Sequence, residues 1–350
     1  MDQPEISIIV PVYNGRKYLK ELIGQFRLQR PSCFEMIFVD DGSHDGTGAA
    51  LEKYKSRESF PITVFHQENQ GVSAARNMGM ELAHGRYITF IDVDDAVSPD
   101  YIQSLHDCIK MNADVYVFLS RRVRQAERNV PAKQPDQPGP KPVGSITQLH
   151  QFIEDPTKLG IYNLLLKRSF LASYTIRYAV GYKYYEDYDF LLQVFAQADK
   201  IEQLNKILYD YILREGSAMN RFTADRINCL RLMKEKEKWL DEKAPDFAPE
   251  FRRWFVARLY WSVLWQAALT FPTLKEFEQF ASYTGAPFYL KKLSSYPDRL
   301  VRISSRVFLV SRPLYRLAVQ AAGRSRSRVE TVHFRDIRKD FHQHIDYYRD

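Results

Sequence analysis

Three carboxylates follow a predicted buried strand in the first third of the chain. Asp92, Asp94 and Asp95 come directly after residues 88–91, most of which are apolar or aromatic. Like charges at the end of one strand repel one another unless a cation lies among them. Mg²⁺ and Mn²⁺ take oxygen ligands and often hold substrate phosphates at the same time. We therefore predict that these carboxylates bind Mg²⁺ or Mn²⁺. Capping of the next helix by Asp95 or Ser98 is the alternative for part of this charge.

Two earlier segments are predicted as buried strands that also end in polar residues. Residues 6–10 and 36–39 are rich in β-branched and other apolar side chains, which is typical of such strands. The polar turn 13–14 follows the first, and the acidic pair 40–41 follows the second. Strand and helix patterns alternate four times up to residue 91, which predicts a doubly wound parallel sheet. Ligands of such sheets bind outside the carboxyl ends of the strands, where these polar residues would meet.

The pattern changes in the second half of the chain. Residues 127–145 contain five prolines and few apolar residues, so we predict a surface loop or flexible lid there. Residues 254–271 carry three of the four tryptophans and are predicted as a core helix, with an interfacial membrane helix as the alternative. We expect an α/β domain over residues 1–220 and a helical region over residues 221–350.

The composition excludes several classes of protein. The 350-residue chain has three cysteines, Cys33, Cys108 and Cys229, which lie far apart and have neither CxxC nor His spacing. This pattern argues against a zinc site and a disulfide framework, and it fits a reducing cytoplasm. The chain has no apolar run of about 18 residues, and its N-terminus does not resemble a signal peptide. We therefore expect a cytoplasmic protein without a transmembrane helix.

Two apparent motifs are excluded by their context. An EF-hand spacing is present at Asp41, Ser43, Asp45, Gly46 and Glu52. An EF-hand loop requires a helix before it, whereas residues 36–39 predict a strand, so we exclude calcium and expect Asp45 or Thr47 to cap the next helix. A dinucleotide-binding fold requires GxGxxG after the first strand, and residues 11–15 lack those glycines.

Four segments of the chain form an ordered set of motifs. They are Val10-Pro11-Val12-Tyr13-Asn14, Val39-Asp40-Asp41-Gly42-Ser43, residues 69–77 and Asp92-Val93-Asp94-Asp95. This set resembles the successive motifs of family 2 glycosyltransferases. The resemblance continues through residues 163–168, Glu186-Asp187 and residues 209–217, and it covers roughly residues 6–220. It implies the GT-A fold, a doubly wound and mostly parallel α/β sheet, here with a helical C-terminal extension.

The resemblance implies a role for each matching position on the donor side. The positions that would contact the nucleotide sugar are Pro11, Val12, Tyr13, Asn14, Asp40, Asp41, Gly71, Arg76, Asp92, Val93, Asp94 and Arg214. Asp40 or Asp41 would accept a hydrogen bond from the base, usually uracil. Arg76 would approach the nucleotide or its phosphates, and Arg214 would lie near the phosphates.

The resemblance also implies a metal ion and a base. Asp92 and Asp94 match the DxD motif of the family, with Asp94 or Asp95 binding the Mn²⁺ or Mg²⁺ that bridges the donor diphosphate. Asp187, with Glu186 beside it, matches the general base, a function that is typically worth ~10²–10⁴ in rate. A base on the acceptor side and a metal on the leaving-group side suffice for one in-line displacement, which inverts the anomeric carbon. Without the resemblance, the Glu-Asp pair would be an ordinary acidic start of a helix.

These features predict the function of the chain. We expect an inverting, metal-dependent glycosyltransferase that moves a sugar from a nucleotide sugar, expected to be UDP-linked, to a hydroxyl of a glycan or lipid-linked acceptor in cell-surface polysaccharide synthesis. A non-catalytic GT-A scaffold that binds nucleotide sugar or a partner protein is one alternative, and the intact acids argue against it. A sugar nucleotidyltransferase is another, and the missing glycine-rich phosphate loop argues against it.

Basic residues are concentrated near the C-terminus of this chain of net charge +7. Residues 299–328 contain no acidic residue and eight arginines: Arg299, Arg302, Arg306, Arg312, Arg316, Arg324, Arg326 and Arg328. An apolar seam is predicted on another helix face, at Leu300, Ile303, Val307 and Val310. This pattern predicts peripheral attachment to an anionic membrane surface, at the inner face of the plasma membrane. Nucleic acid is not expected, because no binding module accompanies the charge. A solvated basic face packed on the enzyme is the alternative.

Overall fold

The computed structural model describes residues 3–127, 130–136, 139–154, 159–214 and 225–323. The chain divides into two compact units. The first unit comprises Met1–Gly181 and Glu186–Glu215, and the second comprises Tyr182–Tyr185 and Gly216–Asp350.

The first unit is built on one mixed sheet, which has nine strands in the described residues. The strands are β1 (Ile6–Val12), β2 (Phe34–Asp41), β3 (Ile62–Gln67), β4 (Tyr87–Phe90), β5 (Ala96–Val97), β6 (Val115–Arg124), β7 (Pro140–Val143), β8 (Leu164–Lys167) and β9 (Ile201–Leu213). Their order is β3-β2-β1-β4-β8-β6-β9-β5, and β7 pairs with β9. The pairings make β1, β2, β3, β4, β6 and β9 run in one direction and β5, β7 and β8 in the other. The predicted mostly parallel α/β sheet is confirmed.

Helices connect the parallel strands of this sheet. They are α1 (Arg16–Arg27), α2 (Thr47–Lys55), α3 (Val72–Leu82), α4 (Tyr101–Cys108), α5 (Ser145–Glu154), α6 (Arg168–Ser173) and α7 (Glu186–Gln197). The apolar positions of α1 recur at helical spacing and are buried: Leu19, Leu22, Ile23 and Phe26. Every residue of β1 and β2 is buried, because helices cover both faces of a parallel sheet.

The prediction of a surface loop or flexible lid over residues 127–145 is wrong in part. Pro140–Val143 forms β7, which pairs antiparallel with β9 in a register that sets Val143 opposite Ile201. Proline is tolerated in an edge strand because its missing N–H costs no ladder hydrogen bond on the outer side. Two short parts of the predicted loop, residues 128–129 and 137–138, lie outside the described residues.

The predicted capping of the helix after the acidic cluster is also wrong. Helix α4 begins at Tyr101, and Asp100 occupies its N-cap position. The Ser98 hydroxyl donates to Asp100 Oδ1 across 2.9 Å, and Asp95 binds β9 instead. At α2 the expectation is wrong as well, because Gly46 occupies the N-cap position. Asp45 lies one residue earlier, and its Oδ1 accepts from Thr47 N across 3.0 Å. The EF-hand spacing begins at Asp41, the last residue of strand β2. A strand and not a helix therefore precedes it, which agrees with the exclusion of an EF-hand.

The described part of the second unit is helical. Its elements are α8 (Asp225–Lys243), α9 (Ala248–Glu250), a π-helical turn (Phe251–Phe255), α10 (Val256–Thr270), α11 (Leu274–Tyr283), α12 (Ala286–Lys292), α13 (Arg299–Val310) and α14 (Arg312–Gly323). Helix α10 is the predicted core helix: Tyr260 stacks on Tyr289 with ring centroids 3.8 Å apart, and Trp261 Nε1 donates to Ser304 Oγ across 2.8 Å. Among the described helices, none combines the length and the apolar character needed to cross a bilayer.

Candidate active site

The predicted site residues come together at one edge of the sheet. Strand β1 lies between β2 and β4 and is parallel to both, with Val12 opposite Asp40 and Ile9 opposite Phe90. Chain connections leave β1 toward β2 on one side and reach β4 on the other, which makes this edge a topological switch point. The turns after β1, β2 and β4 therefore share one end of the sheet, as expected from the sequence.

The turn after β1 is held by the loop after β2. Asn14 has φ of 52°, its amide oxygen accepts from His44 N across 2.8 Å, and its backbone N–H donates to Ser43 Oγ across 2.8 Å. Tyr13 stays 52% exposed beside it. Pro11 and Val12 are buried inside β1, so their side chains are not open to a ligand.

The close approach of two turns also positions Val93. A Cβ added at Gly15 would lie 2.6 Å from Val12 Cγ1 and 3.1 Å from Val93 Cγ1. A Cβ contact of 2.6 Å is essentially absent from real structures and one of 3.1 Å is tight, so glycine is strongly favoured here. The turn after β1 therefore packs directly on the turn after β4.

Asp40 and Asp41 are buried and bind the neighbouring loops. Asp40 Oδ1 accepts from Ser43 N across 3.1 Å, and its Oδ2 lies 3.0 Å from His66 Nδ1. Asp41 Oδ2 accepts from Gly71 N across 2.9 Å, at a glycine whose φ of 89° disfavours other residues. Both carboxylates thus fix the loop framework around the expected base pocket.

The acidic cluster forms a tight turn whose three members differ in exposure. Asp95 N donates to Asp92 O across 3.1 Å. The Asp92 and Asp94 side chains are 33% and 38% exposed, whereas that of Asp95 is 2% exposed. Only the first two are open to a ligand.

Asp95 connects the turn to β9. Its Oδ2 accepts from the Tyr209 hydroxyl across 2.7 Å and its Oδ1 from Ile212 N across 2.9 Å. Burial and the nearby Asp92 raise the pKa of Asp95 to about 8. Tyr209 also accepts from Asp92 N across 3.2 Å and stacks on Tyr162 at 4.6 Å. The sequence did not indicate this tyrosine contact, because residue 209 lies more than a hundred positions beyond the turn.

Arg214 meets the acidic cluster at Asp94. Its Nη1 lies 2.6 Å from Asp94 Oδ2, and its Nη2 donates to the Asp94 carbonyl oxygen. The guanidinium lies over the Tyr18 ring, 4.7 Å from its centroid. Burial raises the pKa of Asp94, and Arg214 opposes that shift. Arg214 therefore holds the position beside Asp94 that a metal ion or phosphate would share.

A cleft of about 780 Å³ lies next to this ion pair. Its lining includes Lys17, Tyr18, Arg124 and Arg214. The three cationic side chains make it a suitable place for an anionic group. Lys17 and Arg124 were not predicted as site residues, since an isolated basic residue near the start of a helix or the end of a strand carries no sequence signal.

Arg76 connects the two acidic groups of the site. Its Nη1 donates to Asp187 Oδ1 across 2.7 Å, and its Nη2 donates to Asp92 Oδ1 across 3.3 Å. The side chain is 4% exposed and lies over the Tyr178 ring, 5.3 Å from its centroid. Arg76 was expected to approach the nucleotide or its phosphates, and in the structure its terminal nitrogens bind the two carboxylates.

Glu186 and Asp187 occupy the first turn of α7. Burial and the adjacent Asp187 raise the pKa of Glu186 to about 7. Burial also raises the pKa of Asp187, although Arg76 opposes this. The Asp187 side chain is 35% exposed. A partly exposed carboxylate with a raised pKa that is oriented by an arginine has the properties of a general base.

The residues of the turn fit a hard divalent cation. Asp92 and Asp94 supply exposed carboxylate oxygens, the ligand type that Mg²⁺ and Mn²⁺ prefer. Within the described ranges, this turn does not hold three ligand atoms within 4.8 Å of one another. Two carboxylates suit a Mg²⁺-type site that substrate phosphates and water complete.

Comparison with known proteins identifies the family. Residues 7–171 match the family model described as glycosyl transferase family 2. The uncharacterized glycosyltransferase EpsJ of Bacillus subtilis is 31% identical over 211 residues, which cover 59% of this chain and 61% of EpsJ. Residues 7–171 therefore form a glycosyl transferase family 2 domain. The family predicted from the four motifs is thus confirmed. The match spans less than two thirds of the length of EpsJ.

Two solved structures have a fold similar to that of this chain. Residues 1–349 of S. aureus TarS in complex with UDP-GlcNAc give a TM-score of 0.63 at 21% identity, covering 97% of this chain and 92% of that one. The mannosyltransferase PcManGT of Pyrobaculum calidifontis, in complex with GDP-Man and Mn²⁺, gives 0.54 at 14% identity, covering 93% and 88%. At these identities the likeness shows only that this chain has the same fold as the two proteins.

Proposed function

We propose that the chain is an inverting, metal-dependent glycosyltransferase that takes a sugar from a UDP-linked donor and attaches it to a hydroxyl of a glycan or lipid-linked acceptor in cell-surface polysaccharide synthesis. The observation that carries this proposal is the position of Arg76. Its hydrogen bonds to Asp187 and Asp92 bring both carboxylates to one guanidinium. This supports a base at Asp187 close to the acids of the donor side.

The donor half of the proposal rests on the turn after β4. Asp94 and Asp92 would hold Mn²⁺ or Mg²⁺, which supplies Lewis-acid stabilisation of the diphosphate charge when bound. Arg214 and Lys17 line the adjoining cleft and would bind phosphate oxygens. The complexes of TarS with UDP-GlcNAc and of PcManGT with GDP-Man and Mn²⁺ support this arrangement. Asp95 would serve to position the turn, because both its oxygens accept hydrogen bonds from β9.

The acceptor half rests on Asp187. Its carboxylate would take the proton of the acceptor hydroxyl while the hydroxyl oxygen bonds to the anomeric carbon. The bond between that carbon and the phosphate oxygen breaks at the same time, and its electron pair leaves with the nucleoside diphosphate. One displacement of this kind inverts the anomeric carbon, so no protein nucleophile is required.

A screen of nucleotide sugars tests the donor assignment. We expect one UDP-sugar to raise the melting temperature of the chain in the presence of Mn²⁺, and to do so less without it, because ligands that bind only the folded state stabilise it. Thermal-shift measurements with UDP-, GDP- and CDP-linked sugars, each with Mn²⁺ or with a chelator, provide the test. If no nucleotide sugar stabilises the chain under either condition, the enzyme proposal is wrong.

We also propose that α13 and α14 attach the chain to an anionic membrane surface. The predicted apolar seam faces outward in the structure, while the opposite side of α13 is buried at Val301, Ser305 and Phe308. Five large apolar side chains of these helices are more than half exposed: Leu300, Ile303, Val310, Leu314 and Leu317. Exposed apolar residues grouped in this way mark an interaction surface.

Charge favours a membrane as the partner of this surface. Arg299 and Arg306 are exposed on the same helix as the seam, and each basic residue near anionic lipid contributes about 1 kcal/mol. Some of the charge is also engaged within the chain, since Arg302, Arg306 and Arg316 donate to backbone carbonyl oxygens. Arg324, Arg326 and Arg328 of the predicted basic tail lie outside the described residues.

Flotation with liposomes tests the membrane proposal. We expect the chain to float with vesicles that contain phosphatidylglycerol and to stay behind with neutral vesicles. The Leu300→Gln/Ile303→Gln and Arg299→Gln/Arg306→Gln variants should float less. Lys275→Gln/Lys291→Gln removes the same charge from α11 and α12 and should float normally. Equal recovery of the wild-type chain in the soluble fraction with both kinds of vesicle would contradict the membrane proposal.

A further inference from the structure

A second cluster of metal-binding side chains lies apart from the acidic turn. Glu5, Cys33 and His106 each offer one ligand atom, and these atoms all lie within 4.8 Å of one another. In the part of the chain that the structure describes, no other group of three such residues meets this condition. The spacing of the cysteines argued against a zinc site, but the fold brings distant partners to Cys33.

The three residues are held by the main chain of the sheet. Glu5 precedes β1, and its backbone N–H donates to the carbonyl of Cys33 across 2.8 Å. The carbonyl of Glu5 accepts from Tyr87 N across 2.9 Å, which ties the same segment to β4. His106 lies in the second half of α4. The main chain that carries Glu5 and Cys33 is thus fixed before any ion binds, which lowers the ordering cost of binding.

The side chains already converge on one another. His106 Nε2 lies 3.0 Å from Glu5 Oε2. A tetrahedral ion with bonds of about 2.0–2.3 Å to nitrogen, oxygen and sulfur separates its ligand atoms by roughly 3.3–3.8 Å. The 4.8 Å limit that contains all three ligand atoms is about 1 Å above this range. All three residues are partly exposed, so an ion has access from solvent.

The ligand set is selective for a particular class of ion. We propose that Glu5, Cys33 and His106 form a binding site for a borderline-soft divalent cation of the Zn²⁺ class. Thiolate and imidazole ligands favour Zn²⁺ over Mg²⁺ or Mn²⁺, whereas the all-oxygen turn has the opposite preference. On binding, the thiol proton of Cys33 goes to solvent, and the carboxylate and thiolate together neutralise the charge of the ion. Water completes the coordination.

Such an ion would connect three parts of the first unit. The ligands precede β1, precede β2 and lie on α4, at the end of the sheet opposite the acidic turn. Binding to the folded state alone would raise the melting temperature. The proposal does not depend on the proposed glycosyl transfer, and it predicts a structural ion, not a catalytic one.

Titration with Co²⁺ followed by absorption spectroscopy tests the site. We expect one equivalent of Co²⁺ to produce a thiolate-to-metal charge-transfer band in the near ultraviolet. Co²⁺ bound by carboxylates alone gives no such band, so the acidic turn does not interfere. Added Zn²⁺ should remove the band, and added Mg²⁺ should leave it unchanged.

Variants assign the band to these residues. Cys33→Ser should abolish it, and Glu5→Gln and His106→Gln should each weaken Co²⁺ binding about tenfold or more. Cys108→Ser is the matched control and should keep the band. The melting temperature of each variant without metal shows that it is folded. A wild-type chain without the band, or a band that persists in Cys33→Ser, overturns the proposal.

Discussion

Turnover of the Asp187→Asn variant is expected to fall by roughly 10²–10⁴-fold, the usual contribution of a positioned general base. The amide oxygen of asparagine can still accept the hydrogen bond that Arg76 Nη1 donates across 2.7 Å, but it cannot take a proton. Arg76 therefore keeps its orientation toward Asp92, and the donor side should stay intact. Initial rates measured beside the dissociation constant of the donor would show a loss in kcat with little change in donor binding.

Two matched variants make this experiment decisive. Glu186→Gln changes the neighbouring carboxylate in the first turn of α7. If Asp187 is the base, this variant should retain much more turnover. Asp199→Asn changes an exposed carboxylate beyond the end of the same helix and should behave as wild type. If Glu186→Gln is inactive and Asp187→Asn is not, Glu186 is the base.

The pH dependence of turnover gives an independent expectation for the same pair. The pKa of Glu186 is raised to about 7 by burial and by Asp187, and burial raises the pKa of Asp187. A base acts only when deprotonated, so kcat/KM should fall as the pH drops through these raised values. An ordinary aspartate, with a pKa of about 3.9, would keep its activity to much lower pH. The residual activity of Asp187→Asn should lack the acid limb that belongs to Asp187.

The positions of the site turns could be predicted from the sequence because they follow from local patterns. Apolar strands followed by polar residues predicted the ends of β1, β2 and β4, and parallel pairing then required these ends to meet at one edge. The side-chain partners could not be predicted in this way. Arg76 pairs with Asp187 over 111 positions of sequence, and Arg214 pairs with Asp94 over 120. No periodicity encodes such contacts, which depend on the packing of whole elements.

The departures from the sequence-based predictions have the same physical origin. Pro140–Val143 has the composition of a loop, yet it forms a strand because β9 offers it an open edge. Asp95 would be a good N-cap by type, but burial against Tyr209 and Ile212 gives it two hydrogen bonds that a cap would not. In both cases tertiary contacts outweigh a weak local preference.

The ion pair between Arg214 and Asp94 leads to a second prediction with a large expected effect on turnover. Arg214 Nη1 lies 2.6 Å from Asp94 Oδ2, so the guanidinium and a metal ion would compete for the same carboxylate. Binding of the metal with the donor diphosphate would release Arg214 toward the phosphates, where its charge is needed as the leaving group departs. Donor and metal should therefore bind cooperatively, and Asp94 is the point at which they are coupled.

Replacing Asp94 by Asn tests this coupling. We expect turnover to fall by at least about 10²-fold, the scale of losing one preorganised electrostatic contact in a transition state. The Mn²⁺-dependent part of the donor-induced thermal shift should disappear, while a smaller Mn²⁺-independent shift remains, because Arg214 is then free to bind the diphosphate. Asp92→Asn should weaken the Mn²⁺ response less, since Asp92 also accepts a hydrogen bond from Arg76. Normal turnover and a normal Mn²⁺ response in Asp94→Asn would show that Asp94 does not bind the metal. If only Asp92→Asn loses the Mn²⁺ response, Asp92 is the metal ligand instead.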